Sequence, residues 1–431
     1  MATALYARGN EVHVITHAPE KQVIDFEEGV WVHRINPYLF EPRVEDINSK
    51  SDSIFLNLPA WQKLWSMAAH QEVRRTHARI PISLVVTPIW EVQGAACMED
   101  PELNTVLTLQ TTYALSSSNH PEWQTSVQLN QQLYHPMVQC ERNALLAAQH
   151  IQAISSGIGR SVEEEYRVKL PGEKVHTFPI GLCDRRDTYK ERLPDGKVRV
   201  LFVGRFEHRK GIDLLISCIP ALCRQFPQVE FYLAGDSTLR GPSGAEYGAE
   251  VNKLVAAYGL SSQVKLLGKL SDEALFAEYA ACDIFVAPSR FESFGIVYVE
   301  AMMFAKPVIA SRTCGAVEVV EDGVTGLLAD PGSAASLRDK LSRLIGDAAL
   351  RGRLGSAGRQ AYQRKFTADK MAENYERMCD LITQRNSVQA GPLSSKITTV
   401  TESANGSQAN VVLSRCEPNG DPGRRLHHKE H

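Results

Sequence analysis

Several features that would place the chain in a membrane, metal or disulfide class are missing from its sequence. No apolar run approaches the roughly 18 residues needed to span a bilayer, and no signal-peptide pattern opens the chain. The nine cysteines form no Cys-x-x-Cys pair, and no Asp-x-Asp motif is present to hold a divalent metal. We therefore expect reduced, mostly buried thiols in a cytoplasmic protein that binds no metal.

A strong charge of either sign is also missing. The net charge is -3 over 431 residues, which argues against nucleic acid as the main partner. The hydrophobic fraction of 43% and the charged fraction of 23% are typical of a soluble globular protein. The chain is long enough for two domains of ordinary size.

Short apolar runs alternate with amphipathic segments along most of the chain. This alternation predicts an α/β fold with mostly parallel sheets. The predicted parts are an N-terminal domain over 1–182, a charged hinge over 183–197, a C-terminal domain over 198–366, a helix over 367–386 and a disordered tail over 387–431.

The stretch SRFESFGIVYVEAM at 289–302 is the most informative one. An apolar run ended by a proline precedes it, and a segment that is apolar all round follows from Phe294, so the sequence predicts a strand, a polar loop and a buried helix. Ligands of open α/β sheets bind outside the carboxyl ends of the strands, and a helix start offers unpaired amides to a phosphate. Glu292 in the loop and Glu300 about two turns into the helix could each hold a hydroxyl-bearing part of one ligand.

Helix-end electrostatics could account for Glu292 without a ligand. It does not account for Glu300, because a carboxylate deep in an apolar helix needs a partner. Arg205 and Lys210 follow the predicted strand 198–203 and so lie at the same sheet edge as Glu292. They could belong to a solvated turn or to an anion site; their neighbours Glu207 and Arg209 are interpreted as surface residues.

The separation of Glu292 and Glu300 by seven residues, with further ordered motifs, resembles the signature of the retaining, nucleotide-sugar-dependent glycosyltransferases of family 4, also described as glycosyl transferases group 1. The other motifs are VGRFEHRKG at 203–211, FYLAGD at 231–236, KPVIAS at 306–311 and GVTGLL at 323–328. The resemblance implies a GT-B fold, in which two Rossmann-like domains with parallel sheets face each other across a cleft and a C-terminal helix crosses back to the first domain. It also implies retaining transfer of a sugar from a nucleotide donor to a hydroxyl acceptor (a saccharide, a lipid or a small molecule), without a metal cofactor.

The resemblance implies a role for each matching residue. Arg205 and Lys210 would stabilise the departing diphosphate, Glu292 would contact the donor sugar and Glu300 would bind the ribose hydroxyls. The remaining donor-binding positions implied are Gly204, Gly268, Phe294, Gly295 and Ile296.

The first domain departs from the family pattern in two places. Gln110 follows the predicted strand 105–109, where many family members have a histidine that contacts the donor sugar. Glu91, after the predicted strand 82–87, could be an acceptor contact or an ordinary loop acid. The strand at 11–16 matches the family's second strand, so we expect the first strand and a glycine-rich turn to be absent, through a truncated start or a rearranged sheet.

Three alternatives remain open from the sequence. The helix predicted over 56–79 ends in a basic cluster, which could contact an anionic membrane or could be solvated while its apolar stripe packs on the sheet. The chain could also be a GT-B sugar-nucleotide epimerase, or a non-catalytic sugar-nucleotide-binding protein.

In the first domain, a single long helix is predicted over 128–149.

Overall fold

A computed structural model of the chain describes residues 1–18, 20–39, 53–54, 58–240, 244–390, 399–400 and 412–415. Within these residues the strands form two separate sheets, one of nine strands and one of six. Each sheet belongs to an α/β domain, as the alternation of apolar runs and amphipathic segments predicted.

The first domain contains seven strands in chain order before the link to the second domain. They are β1 (Asn10–His17), β2 (Val23–Glu27), β3 (Val30–Ile35), β4 (Leu84–Pro88), β5 (Thr105–Leu109), β6 (His150–Ala153) and β7 (Val175–Thr177). Its helices are α1 (Ala2–Ala7), α2 (Ala60–His77), α3 (Ala95–Met98), α4 (Tyr113–Ser116), α5 (Pro121–Thr125), α6 (Val127–Leu129), α7 (His135–Ala147) and α8 (Ser156–Tyr166). β4, β5, β6 and β7 are parallel neighbours in that order, whereas β2 runs antiparallel to β3. The first sheet is therefore mostly parallel, as predicted, with β2 as an antiparallel strand at its edge.

The second domain has an entirely parallel sheet. Its strands are β8 (Val198–Val203), β9 (Val229–Ala234), β10 (Val264–Gly268), β11 (Ile284–Ala287), β12 (Val308–Ser311) and β13 (Gly326–Ala329). The order across the sheet is β10-β9-β8-β11-β12-β13, and each neighbouring pair is parallel. Its helices are α9 (Ile212–Gln225), α10 (Tyr247–Tyr258), α11 (Asp272–Ala281), α12 (Ile296–Met303), α13 (Ala316–Val319), α14 (Ala334–Gly346) and α15 (Ala348–Lys365). β8 and β11 are central neighbours, so the loops that follow them leave the sheet side by side.

A last helix, α16 (Ala368–Ala390), returns to the first domain. Tyr375 packs edge-on against Phe178 with ring centroids 4.9 Å apart, and Arg8 forms ion pairs of 2.8 Å with Asp369 and with Glu376. The crossing helix implied by the family resemblance is confirmed. It ends at Ala390 rather than at residue 386.

The C-terminal segment supplies two strands to the first sheet. β14 (Thr399–Val400) pairs with β1 in parallel, and β15 (Val412–Arg415) lies antiparallel between β1 and β4. The prediction of a disordered tail over 387–431 is wrong for residues 387–390, which belong to α16, and for β14 and β15. The backbone of β15 pairs with a strand on each side, which satisfies the polar groups of a position inside the sheet. The other residues of that tail lie outside the described part of the chain, and the absence of a family-type first strand and turn stays a prediction.

The helix predicted over 128–149 is interrupted. Residues 130–134 form a π-helical segment between α6 and α7, and Pro136 lies in the first turn of α7. Proline has no backbone N–H and its ring clashes with the preceding turn, so a regular ladder cannot continue through it. The wider π turn accommodates this break.

Two basic side chains at the end of α2 pair with acids of their own domain. Arg74 forms ion pairs with Glu102 and Asp100, and Arg75 lies 2.6 Å from the carboxylate of Glu72. Among the described residues, no helix is both long enough and apolar enough to cross a membrane.

Candidate active site

The loops that follow β8 and β11 are in direct backbone contact. The amide of Arg290 donates to the carbonyl of Arg209 over 2.7 Å. Gly211 has a φ of +70°, and a Cβ at this position would lie 2.1 Å from the carbonyl oxygen of Pro288. Only glycine combines this backbone conformation with so close an approach. The close approach fixes the position of the preceding residue, Lys210.

Lys210 and Glu292 meet where these two loops join. The Lys210 ammonium donates to Glu292 Oε2 over 2.8 Å, and the side chains are only 17% and 9% exposed. The Ser289 hydroxyl lies 3.4 Å from the same carboxylate oxygen. A cation and an acid that are 82 positions apart in the chain are thus neighbours at the carboxyl edge of the second sheet.

Arg205 lies on the loop after β8, which also carries Lys210, and its side chain is 57% exposed. Glu207 connects it to Arg209, with ion pairs of 3.2 Å and 2.7 Å respectively. Arg209 also donates to the carbonyl of Phe291 over 3.3 Å. The interpretation of Glu207 and Arg209 as surface residues is wrong, since their side chains are 12% and 16% exposed. The alternating acid and base at 207 and 209 was the signal that could have indicated an ion pair.

Helix α12 begins at Ile296, two residues after the start of the apolar run at Phe294, and the amides expected at Gly295 and Ile296 lie at its beginning. Gly295 caps the helix at a φ of +99°, and a Cβ there would lie 2.2 Å from Cδ2 of Tyr298. Phe294 is buried, whereas Ile296 is 37% exposed. The first amides of a helix have no partner within it, so this end of α12 can donate to an anion next to Glu292.

Glu300 lies in the second turn of α12 and is half-buried. The Tyr279 hydroxyl, from α11, donates to Glu300 Oε2 over 2.7 Å. Burial raises the pKa of Glu300 above its ordinary value, although this hydrogen bond opposes the rise. The partner expected for a carboxylate in an apolar helix is therefore a tyrosine, and no sequence motif pointed to it.

Gly204 and Gly268 end two strands of the second sheet. The amide of Gly204 donates to Ala234 O over 3.0 Å, and the carbonyl of Gly268 accepts from Gly235 N over 2.8 Å. Gly268 has a φ of +65°, and a Cβ there would have no atom within 4 Å. Gly204 leads directly into Arg205, whereas Gly268 lies two strands away, beyond β9, with open space beside it.

The first domain contacts the Glu292 loop through the start of α8. Ser155 caps this helix by accepting from Ile158 N over 3.0 Å, and its hydroxyl donates to the carbonyl of Ser293 over 2.7 Å. Glu318 accepts from the amides of Ser156 and Gly157 over 2.9 Å and 2.6 Å. No sequence motif pointed to the contact of this helix start with the other domain.

The two residues predicted on the acceptor side follow β4 and β5. Glu91 has a φ of +58°, and its Oε1 accepts from the Tyr113 hydroxyl over 3.3 Å and from Gln62 Nε2 over 3.5 Å. Gln110 is half-buried at the end of β5. Beneath this loop the buried Glu141 accepts from Tyr113 N over 3.0 Å, and burial raises its pKa to about 8.

No group of three or more histidine, cysteine, aspartate or glutamate side chains that could hold a metal ion was found within the described ranges. The cations at the site are instead Lys210 and Arg205. That the reaction needs no metal stays a prediction.

Replacing Gly211 by alanine tests how tightly the two loops are joined. We expect a loss of about 2–5 kcal/mol in the free energy of unfolding, because the left-handed conformation and the contact with Pro288 O both disfavour a Cβ. Urea unfolding would measure it. Gly352→Ala in α15 is the matched control, since a Cβ there meets no atom within 4 Å, and it should leave stability unchanged or raise it by up to about 1 kcal/mol. Equal effects of the two changes would contradict the close approach.

Comparison with known proteins agrees with this geometry. Residues 184–361 match the family described as glycosyl transferases group 1. Over 362 residues the chain is 28% identical to an alpha-D-kanosaminyltransferase of Streptomyces kanamyceticus. The aligned region covers 80% of this chain and 89% of that protein. Other curated glycosyltransferases are 30–35% identical, but the chain spans only 38–49% of their length.

Solved structures show the same two-domain architecture. Sucrose-phosphate synthase from Thermosynechococcus elongatus superposes with a TM-score of 0.66 at 24% identity, covering 89% of this chain and 92% of that one. HepE of Anabaena in complex with UDP-glucose superposes with a TM-score of 0.54 at 22% identity, covering 75% of this chain and 84% of that one. The predicted GT-B fold is confirmed. The chain is a glycosyltransferase whose residues 184–361 match the glycosyl transferases group 1 family.

Proposed function

We propose that the chain is a retaining glycosyltransferase of family 4 that moves a hexose-type sugar from a nucleoside diphosphate sugar to a hydroxyl acceptor. The observation that carries this proposal is the ion pair of Lys210 and Glu292, 2.8 Å long, beside the start of α12. A cation and unpaired amides suit a diphosphate, and a carboxylate suits sugar hydroxyls.

The chemical step breaks the bond between the anomeric carbon and the diphosphate oxygen. The acceptor oxygen forms the new bond to that carbon from the same face, and the acceptor proton passes to the departing diphosphate. Lys210, Arg205 and the amides at the start of α12 stabilise the negative charge that grows on the leaving group. Glu292 holds a hydroxyl of the donor sugar and keeps Lys210 beside the reacting bond.

The rest of the donor occupies the carboxyl edge of the second sheet. Glu300 accepts hydrogen bonds from the ribose hydroxyls, and the Tyr279 hydroxyl orients it. The amides of Phe294, Gly295 and Ile296 contact sugar hydroxyls or phosphate. Backbone groups at Gly204 and Gly268 complete the contacts to the nucleotide, with the open space beside Gly268 left for the base.

The reaction is proposed to run without a metal and in the cytoplasm. Cations supplied by the protein replace a metal in stabilising the leaving group. The eight described cysteines are all free, as in proteins of reducing compartments. The proposal includes no membrane contact, because Arg74 and Arg75 already pair with acids of their own domain.

A product assay with a panel of nucleotide sugars tests the proposal. UDP-glucose comes first, since HepE was solved with this donor, followed by GDP-mannose and UDP-N-acetylglucosamine, each with a mixture of sugar and cyclitol acceptors. We expect an α-linked product from an α-configured donor by NMR, with undiminished turnover in EDTA. A β-linked product would exclude retention, loss of turnover in EDTA would exclude metal independence, and conversion of the donor alone would indicate an epimerase.

A further inference from the structure

Four aromatic rings of the first domain form a continuous column. Trp90 stacks on Tyr113 with ring centroids 4.6 Å apart, and Tyr113 stacks on Trp123 at 4.9 Å. His120 covers Trp123 at 4.0 Å and 9°. Tyr113 is buried inside the column, whereas Trp90 at its end is half-buried. The column therefore holds one large aromatic side chain rigidly at the surface of the loop after β4.

The backbone next to Trp90 is strained. Glu91 and Val92 are consecutive non-glycine residues with positive φ, at +58° and +46°. Each such residue costs of order 1 kcal/mol or more, and strain of this kind collects where a ligand is bound. The carboxylate of Glu91 accepts from the hydroxyl of Tyr113, on which Trp90 stacks, over 3.3 Å, and from Gln62 Nε2 and Gln93 Nε2 over 3.5 Å each.

Buried groups support the column from behind. Both carboxylate oxygens of Glu141 accept from the Tyr113 amide, at 3.0 Å and 3.2 Å, and the Tyr166 hydroxyl donates to the same carboxylate. On the other side, Tyr134 at the end of the π-helical segment lies 6.1 Å from Trp123. The column is thus built into the fold and is not a chance contact of surface side chains.

The column lies close to the reacting end of the donor. Ser155, just after β6, hydrogen-bonds to the Ser293 carbonyl next to Glu292. β5 and β4 are the next two strands of the parallel sheet, and neighbouring strands are about 5 Å apart. The loop that carries Trp90 and Glu91 therefore begins about 10 Å from that contact, a span that one sugar-sized ring and the donor sugar can fill.

We infer that Trp90 and Glu91 form the acceptor subsite, and that the acceptor is a saturated ring polyol, a sugar or a cyclitol. The C–H face of such a ring buries against the rigid Trp90 side chain, and the half-buried Glu91 and Gln110 offer hydrogen bonds to its hydroxyls. An open-chain alcohol offers no such face, and a flat phenolic acceptor would leave most of these polar groups unpaired. This inference rests on the proposed transfer reaction and names its second substrate.

Acceptor kinetics of Trp90→Ala test the subsite. With the best donor of the panel, we expect KM for a ring polyol acceptor to rise about 30-fold, the size of effect seen when an aromatic anchor is removed, while KM for the donor changes less than threefold. Glu91→Gln should raise the acceptor KM about 10-fold, since a hydrogen bond to a charged group is replaced by a neutral one. Trp31→Ala is the control: Trp31 lies near the start of β3 and contacts His13 and Phe26, and activity should be unchanged.

The acceptor panel tests the class. Monosaccharides and cyclitols should be used at least 10-fold more efficiently, by kcat/KM, than glycerol, long-chain alcohols or phenols. Equal efficiency across these classes, or an unchanged acceptor KM in Trp90→Ala, would overturn the subsite while leaving the transferase intact. If the unaltered chain transferred sugar to none of these compounds, the transfer reaction itself would fail.

Discussion

Replacing Lys210 by methionine is expected to lower kcat about 100- to 1000-fold, the usual cost of removing one group that stabilises charge in the transition state. Methionine keeps most of the length and the apolar stem of lysine, so only the ammonium is lost. The measurement is steady-state turnover with donor and acceptor both saturating, because the expected effect is on the chemical step.

The same change removes the partner of Glu292 and so affects folding as well. Breaking one side of a largely buried ion pair leaves a carboxylate uncompensated, and costs of up to about 3–5 kcal/mol have been typical where pairs are fully buried. The double variant Lys210→Met/Glu292→Gln separates the two effects. It should regain thermal stability, because no buried charge is left, without regaining turnover.

Lys340→Met provides the matched control for the substitution. Lys340 pairs only loosely, at 3.2 Å, with its neighbour Asp339 on α14, and the change should alter neither turnover nor stability. Recovery of turnover in the double variant would show that Lys210 acts through folding alone. It would then have no role at the diphosphate.

Replacing Glu300 by glutamine is expected to weaken nucleotide binding and to stabilise the free protein. The carboxylate is proposed to accept two ribose hydroxyls, and hydrogen bonds to a charged group contribute about 1.5–3 kcal/mol each. UDP should therefore bind about 10- to 100-fold more weakly to the variant. Calorimetric titration measures this, with Glu165→Gln on the exposed side of α8 as the control.

The stability effect follows from the raised pKa of Glu300. The ordinary pKa of a glutamate carboxyl is 4.5, and in the folded chain Glu300 retains its proton to a higher pH than that. Between that value and the raised pKa, the folded state binds more protons than the unfolded state, so stability falls as pH rises through this range. The glutamine side chain of the variant cannot ionise, so this loss is removed. Urea unfolding at pH 5 and pH 8 should therefore show a smaller decline in E300Q than in the unaltered chain, and an equal decline would contradict the assignment.

The positions of the proposed donor-side residues could be predicted from the sequence because these residues lie in local strand–loop–helix units. Arg205 and Lys210 occur within one loop, Glu292 within another and Glu300 in the helix that follows it, so spacing alone determines their place at the sheet edge. The start of α12 was placed two residues too early because Phe294 is apolar. The Gly295 conformation, which begins the helix, cannot be recognised by hydrophobic periodicity.

The acceptor side could not be predicted in the same way. Trp90, Tyr113 and Trp123 come from three separate segments, and only the order of strands in the sheet brings their rings together. Nor does periodicity show that β15 pairs with β1 and β4, since pairing between distant segments depends on the whole sheet. Glu91 was named from its place after a strand, but neither its strained backbone nor its aromatic neighbour could be inferred from sequence.

The contact at the start of α8 has a consequence for motion. Glu318, which belongs to the second domain, accepts from two amides of a helix in the first, and Ser155 hydrogen-bonds across the same boundary. Separating the domains breaks all three hydrogen bonds, each with a net contribution of about 0.5–3 kcal/mol. The amides at the start of α8 then lose the carboxylate of Glu318 as their acceptor. Any opening between the domains for exchange of substrate would therefore expose the start of this helix, and hydrogen exchange at residues 156–158 would report how often it occurs.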